Sequence, residues 1–378
     1  MIYLDNAATT LFKPESVYKK SDEALRLFSA NPGRSGHSQS ILAGEKLFNA
    51  RTTIADFFNS SPSCVIFTFG CTDSLNLVLR GTLNTGDHVI HTVYDHNSVL
   101  RPLEFLKTRG ITATTVLPDK DGKIYVSSLK EALQKNTKAV IINHISNVTG
   151  IKQNIEEIGY FCKKNNVLFI VDAAQSAGNT KIDVKMQNID YLCCPCHKGL
   201  LGPQGLGLLI LGKNSPSPTP LRFGGTGTRS FDLSQPSELP EFLESGTLSV
   251  QNILSCEAGV KFVADKINEI NKKETMLISR LSEGLARIPQ IETYSHKKIE
   301  SGVFAFNIKN TDSIAVSEYL DKNFGIALRG GFHCAPLVHK FLNTDSSGAL
   351  RASVSYFNTI SDIDFLIFAI KETIKIHY

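Results

Sequence analysis

A chain of 378 residues, 42% hydrophobic and 20% charged, has the balance of a soluble globular protein and enough length for a large core with a smaller unit beside it. Its formal charge of +4 comes from 40 basic and 36 acidic residues with no Lys/Arg block, which gives no support to nucleic-acid or membrane-surface binding and leaves anionic small ligands open. No apolar run approaches the ~20 residues that span a bilayer, and MIYLDNAATT has no signal-peptide pattern, so a cytoplasmic location and eight reduced thiols are expected.

The spacing of Val17, Leu25 and Phe28 behind Pro14 predicts a helix over 14–30. A second helix is predicted over 40–59, after the polar loop NPGRSGHSQS. From there to about residue 211 seven apolar, β-branched runs alternate with helix-length segments: VIFTF (65–69), HVIHTV (88–93), TATTVL (112–117), AVIINHI (139–145), VLFIVDAA (167–174), YLCC (191–194) and GLLIL (207–211). Strands apolar on both faces and separated by helices predict an α/β fold with a mostly parallel seven-stranded sheet covered on both sides. After the Pro/Ser/Gly-rich passage GKNSPSPTPLRFGGTGTRS come a helical pattern over 250–288, strand-like runs at 302–308 and 351–357, and a final helix in DIDFLIFAIKETIKI. The expected division is a large domain over 15–255 and a smaller α+β domain built from 1–14 and 256–378.

In an open parallel sheet, ligands sit beyond the carboxyl ends of the strands. The polar residues there are Gly70-Cys71-Thr72, Asp95-His96-Asn97, His144 and Asn147, Asp172 and Gln175, and His197-Lys198, expected to line one crevice. Asp172 ends a very apolar strand, and a buried carboxylate is costly unless it meets a cation. A protonated pyridine nitrogen would serve, with Lys198 as its Schiff-base partner and the strand–Gly–Thr–helix of TFGCTDSLNLVLRG as a phosphate site. Thiolates and imidazole in CCPCH could also supply part of a metal site, although no second ligand pair stands at metal-binding spacing, so no metal is expected. GLLGPQG lacks the G-K-[ST] ending of a Walker loop, and no G-x-G-x-x-G follows the first strand.

Nine stretches in order, YLDNAATT, NPGRSGHS, TFGCTDSLNLV, YDHNSV, HISNVTG, VDAAQSAG, CHKGLLGPQGLG, ESGTLSVQN and RGGFHCAPL, resemble class V, fold-type I pyridoxal-phosphate enzymes over nearly the whole chain. The resemblance is strongest to cysteine desulfurases, selenocysteine lyases and their desulfurase-like relatives. It implies Lys198 as the cofactor lysine, Asp172 at the pyridine nitrogen, Gln175 at the phenolic oxygen and His96 stacked on the ring. It further implies Asn147 near the phenolic oxygen and substrate, Cys71 N–H, Thr72 and His197 on the phosphate, and Arg351 on the substrate carboxylate. Thr247 matches a threonine that reaches the phosphate of a neighbouring subunit, which implies a homodimer.

Cys334 is the candidate nucleophile toward the substrate's sulfur, helped by His333 and a loop over 339–349. Leu350 stands directly before the RAS arginine, where some relatives carry a second cysteine, and Pro195 replaces a hydroxyl three residues before the lysine. The expected activity is removal of sulfur or selenium from L-cysteine or L-selenocysteine to give alanine, with a sulfur-acceptor protein as possible partner. The alternatives are a C–S β-lyase or aminotransferase on the same scaffold, and a non-catalytic sulfur-trafficking protein.

Overall fold

The computed structural model describes residues 1–33, 35–295 and 298–377, so Arg34 of the NPGRSGHS motif lies outside the described residues. A short strand β1 (Ile2–Tyr3) precedes helices α1 (Glu15–Leu27) and α2 (Ser38–Phe57). The central part runs β2 (Val65–Thr68), α3 (Cys71–Thr82), β3 (His88–Thr92), α4 (Asn97–Lys107), β4 (Thr112–Val116), α5 (Val126–Ala132), β5 (Thr137–Asn143), α6 (Ile155–Lys164), β6 (Leu168–Asp172), β7 (Tyr191–Pro195) and β8 (Gly207–Leu211). Then follow α7 (Val250–Leu285), β9 (Ile291–Thr293), β10 (Val303–Ile308), α8 (Ser313–Phe324), β11 (Ile326–Ala327), α9 (Pro336–Phe341), β12 (Leu350–Ser353) and α10 (Ile360–His377).

Seven strands form one sheet in the order β2-β8-β7-β6-β5-β3-β4. Every pairing from β7 to β4 is parallel, and β8 runs antiparallel to both neighbours. The side-chain period of two sends alternate residues to opposite faces, and both faces are packed. Val140, Ile142, Phe169, Val171, Leu192 and Cys194 join one core cluster, while Ala139, Ile141, Ile170, Tyr191 and Cys193 join another across the sheet. Cys196 lies in the first cluster, so all three cysteines of CCPCH are core packing groups.

A separate cluster gathers Leu4, Leu277, Leu281, Phe304, Phe306, Leu320, Leu350 and Ile370 around the antiparallel sheet β12-β10-β9. Asp312 caps α8 by accepting from the N–H groups of Ile314 and Ala315, and left-handed Gly325 ends it. That stop delivers the chain to β11, which pairs in parallel with β1 and fastens the N-terminal segment to the C-terminal sheet. The 351–357 strand expectation is shortened to Leu350–Ser353, and α9 claims 336–341, so the expected 339–349 loop is helical at its start. Among the described residues no helix is long and apolar enough to cross a membrane.

Candidate active site

A cavity of about 630 Å3 opens beyond the carboxyl ends of β2, β5, β6 and β7, lined by Gly70, Cys71, Thr72, His96, Asn147, Asp172, Gln175, His197 and Lys198 among others. The wall at β2 is a helix N-terminus. Gly70, at φ 149°, turns the chain into α3, and no side chain caps that helix. Its backbone also lies where a side chain on Gly207 of β8 would be, so both glycines are required for the turn to sit against the sheet. Uncapped N–H groups and the helix dipole make this an anion cradle. Asp73 in the same turn is occupied elsewhere, accepting from Phe69 N–H at 3.0 Å and from Arg222 at 2.8 Å.

His96 is the N-cap of α4, and its Nδ1 accepts the Ser98 N–H at 3.0 Å. The Ser98 hydroxyl lies 2.8 Å from the same nitrogen and 2.7 Å from Thr72 Oγ1, which ties the imidazole to the cradle. Burial pulls the His96 imidazole below its ordinary range, against the attraction of Asp172.

Asp172 is 2% exposed. Its Oδ1 accepts the Ala174 N–H at 2.9 Å and faces the Cys71 thiol at 3.6 Å. Burial raises its carboxyl above the usual range, and the Ala174 N–H, His96 and Lys198 pull the other way. Lys198 has the complementary bias: burial lowers its ammonium, while Cys71 and Asp172 favour the charge. A pocket that disfavours a bare carboxylate and a bare ammonium at the same time suits a basic ring nitrogen at Asp172 and a neutral amine at Lys198.

The lysine turn is shaped by contact. A side chain on Gly199 would collide with the Ala177 carbonyl and one on Gly178 with the Gly199 carbonyl, so the VDAAQSAG and HKGLLG turns pack backbone to backbone. Leu201, not a glycine, takes the left-handed conformation there, at φ 59°. Thr10 Oγ1 donates to the Lys198 carbonyl at 3.1 Å and the Thr10 N–H to the His197 carbonyl at 3.0 Å, so the YLDNAATT segment clamps the turn. Thr9 Oγ1 lies 3.0 Å from His197 Nδ1, and burial pushes that imidazole down to about 4. Gln175 donates Nε2–H to the Ala7 carbonyl at 2.9 Å, which fixes its amide at the cavity wall.

Arg351 reaches the same region from β12. It is 1% exposed, with Nη2 on Asp5 at 2.6 Å, Nη1 on the Asn147 carbonyl at 3.1 Å, and a buried Nε–H that meets no acceptor. Asn147 donates Nδ2–H to the His333 carbonyl at 2.8 Å, while its buried Oδ1 has no partner. Unmet buried donors and acceptors on adjoining residues mark a place built for a polar ligand.

Cys334 is exposed and does not line the cavity. Its loop is nonetheless fixed beside it: the Asn97 N–H donates to the Cys334 carbonyl at 2.7 Å, and His333 Nε2 meets the Ala349 carbonyl at 2.9 Å. His333 and Cys334 both hold left-handed backbone, at φ 49° and 56°. Thr247 is exposed, following Gly246, and does not line this chain's cavity.

The expected single crevice is corrected at three points, Asn97 among them, which does not line the cavity and whose N–H holds the Cys334 carbonyl instead. His144 turns into a different depression with Lys152, Gln153 and Glu157, because the β5 end bends there through the Ile145–Lys152 bridge. Asp95 is fully buried and accepts the Thr92 N–H at 2.6 Å, serving the β3 turn. Ser98 and Asp5, which contact His96 and Arg351, are not given a role by the sequence motifs; a hydroxyl two positions after His96 was the available signal for Ser98.

The aminotransferase class-V family model matches residues 2–366. A probable cysteine desulfurase of Pyrococcus abyssi is 32% identical to the chain, over 99% of it and 94% of the relative. One of Halalkalibacterium halodurans is 33% identical, over 99% and 93%. The apo structure of cysteine desulfurase from Thermococcus onnurineus NA1 superposes with a TM-score of 0.92 at 30% identity, covering 99% of this chain and 94% of that one. With the family match spanning nearly its whole length, the chain belongs to the aminotransferase class-V family.

Proposed function

We propose that this protein is a pyridoxal-phosphate-dependent cysteine desulfurase that converts L-cysteine to L-alanine and leaves the sulfur on Cys334. The observation that carries the reading is the meeting of Lys198, Asp172 and His96 with the uncapped N-terminus of α3 in one cavity. The relatives' names point the same way. The residues fit the cofactor: α3 and Thr72 offer phosphate donors, the buried Asp172 carboxylate accepts the Ala174 N–H and forms no salt bridge with the described residues, and Gln175 and Asn147 present amides to the cavity.

When bound, pyridoxal phosphate supplies an aldehyde that condenses with amines and a protonated ring that accepts the electron pair left at a substrate's Cα. Cys71 N–H, Thr72 and His197 would hold its phosphate, His96 its ring face, Asp172 its ring nitrogen, and Gln175 and Asn147 its phenolic oxygen. Pro195 brings no hydroxyl, so Thr72 carries more of the phosphate's hydrogen bonding. Arg351 binds the substrate carboxylate, its free Nε–H giving the fork an edge that Asp5 leaves open. Burial biases the Lys198 amine toward its neutral form, in which it would hold the cofactor and, once released, take the Cα proton. Cys334 attacks the substrate's sulfur; the Cβ–S bond breaks, an S–S bond forms, and Cβ receives a proton, so cysteine and enzyme thiol become alanine and enzyme persulfide. The exposed position of Cys334 then lets an acceptor reach the sulfur. Thr247 completes the phosphate site of a second copy in a homodimer.

Product analysis with L-cysteine tests the reading. Wild type is expected to be yellow and to release alanine in the presence of a thiol acceptor. Lys198→Ala loses the visible band, and Cys334→Ser keeps it while alanine formation falls by at least about a hundredfold, the scale for losing an activated nucleophile. Pyruvate as the main product would select the β-lyase reading, and alanine formation that survives Cys334→Ser would remove Cys334 as the nucleophile.

A further inference from the structure

We propose that Ser98 is a positioning residue that couples the phosphate cradle to His96, so that an anion held at the N-terminus of α3 makes the imidazole easier to protonate. The inference rests on the cofactor reading above and adds a connection between two of its parts.

Ser98 presents two groups to one nitrogen. Its backbone N–H donates to His96 Nδ1 at 3.0 Å, which leaves the ring proton of the neutral imidazole on Nε2. Its hydroxyl, on a residue only 8% exposed, lies 2.8 Å from Nδ1 and 2.7 Å from Thr72 Oγ1. A hydroxyl has one proton, so it donates to the histidine or to the threonine and never to both.

Which of the two it serves is set at the other end of the chain of hydroxyls. With no anion in the cradle, Thr72 can donate to Ser98 and Ser98 to Nδ1, so Nδ1 faces two donors and resists a second ring proton. An anion on α3 takes the Thr72 proton. Thr72 Oγ1 then becomes the acceptor, the Ser98 hydroxyl turns to it, and a Ser98 lone pair faces Nδ1 in place of a proton. An Nδ1–H can donate into that lone pair. Binding of phosphate thus exchanges a donor for an acceptor next to the imidazole. Of the protein's charged groups around His96, Asp172 favours its protonation, while Lys198, Arg329 and Arg101 oppose it; the bound phosphate adds its own negative charge, which the Ser98 variants share with wild type.

The test uses the full-length protein with isotope-labelled histidine, His96 being assigned with a His96→Gln variant, and follows its ring shifts by NMR against pH before and after loading with pyridoxal 5′-phosphate. In wild type the neutral ring is expected as the Nε2–H form, and loading moves its titration midpoint upward. Ser98→Ala keeps the charge effect of the phosphate and loses the hydroxyl, so its upward movement is smaller, and Ser98→Thr restores it. In parallel, the preference for pyridoxal 5′-phosphate over pyridoxal falls about three- to tenfold in Ser98→Ala, the worth of one hydrogen bond. A wild-type neutral ring protonated on Nδ1 overturns the proposal without any variant. So does a Ser98→Ala protein whose midpoint movement and phosphate preference equal those of wild type. A wild type that takes up no pyridoxal phosphate ends the cofactor reading and the coupling together, whereas the previous two results end the coupling alone.

Discussion

Arg351 is a charge held out of water, and its partners state what it lacks. Asp5 and the Asn147 carbonyl satisfy one side of the guanidinium, and the buried Nε–H is left to an incoming acceptor. A substrate carboxylate in that place makes charge-assisted bonds with fork geometry, which an ammonium cannot reproduce. Arg351→Lys is therefore expected to raise the KM for L-cysteine by about ten- to a hundredfold, the worth of one or two charged hydrogen bonds. The visible band of the bound cofactor should be unchanged, because lysine keeps the positive charge that acts on Lys198 and no hydrogen bond of Arg351 reaches the lysine turn. Steady-state kinetics together with an absorbance spectrum checks both halves. This arginine was legible in the sequence through the RAS motif; its dependence on Asp5 was not, because 346 positions separate the two and only the β12 register beside the N-terminal segment brings them together. Ser98 escaped for a related reason. A serine in the first turn of a helix is ordinary until the structure sets Thr72 across from it.

Among the elements, α7 has the widest reach: Ile253, Leu254 and Val260 pack into the main core, and Leu277, Leu281 and Leu285 into the C-terminal one. Between those stretches it carries Glu274, which accepts from Asn179 Nδ2 at 2.6 Å and faces a small polar cavity shared with Gln175, Lys198 and Ser355. Burial pushes this carboxyl up to about 8, with only Asn179 opposing. The native state therefore binds a proton that the unfolded chain, with an ordinary glutamate near 4.5, releases. Stability linked to Glu274 is full below the unfolded value and is lost as pH rises through about 8. Glu274→Gln keeps the shape and the acceptor and never ionises, so its melting temperature should match wild type near pH 5 and exceed it increasingly toward pH 9. Thermal unfolding across that range checks it, and a difference independent of pH would mean that Glu274 is charged in the fold. The continuous helix was visible in the sequence as a 3.6-residue pattern. The direction of β8 was not, since GLLIL is apolar on both faces and such a run reads the same either way.

Across the whole molecule, the chain-order alternation of strands and helices determined the sheet, and the residues just after the strands determined most of the cavity, because an open parallel sheet leaves one end for ligands. What one chain leaves unfinished lies in the segment between β8 and α7. Phe223, Phe231 and Leu233 are 69%, 104% and 107% exposed there, and Thr247 follows in the same stretch. The inner end of that segment is firmly held: Glu244 pairs with Arg51 at 2.8 Å and accepts the Phe67 N–H at 2.6 Å, both charges being buried. An anchored base under an apolar, solvent-facing stretch suits insertion into a second copy, where Thr247 would reach the partner's cradle. The expected mass in solution is accordingly twice that of the chain. Thr247→Ala should weaken pyridoxal-phosphate binding about three- to tenfold, the value of one hydrogen bond to the phosphate. The location of that effect separates a partner's threonine from a local one. In a mixed dimer of Thr247→Ala and Lys198→Ala chains, the site keeping Lys198 receives its threonine from the Lys198→Ala partner and is whole. Mixing the two variants under subunit exchange should therefore restore wild-type cofactor affinity to the Lys198-containing sites of the mixed dimers. A threonine acting within its own chain would leave those sites as weak as in the Thr247→Ala homodimer.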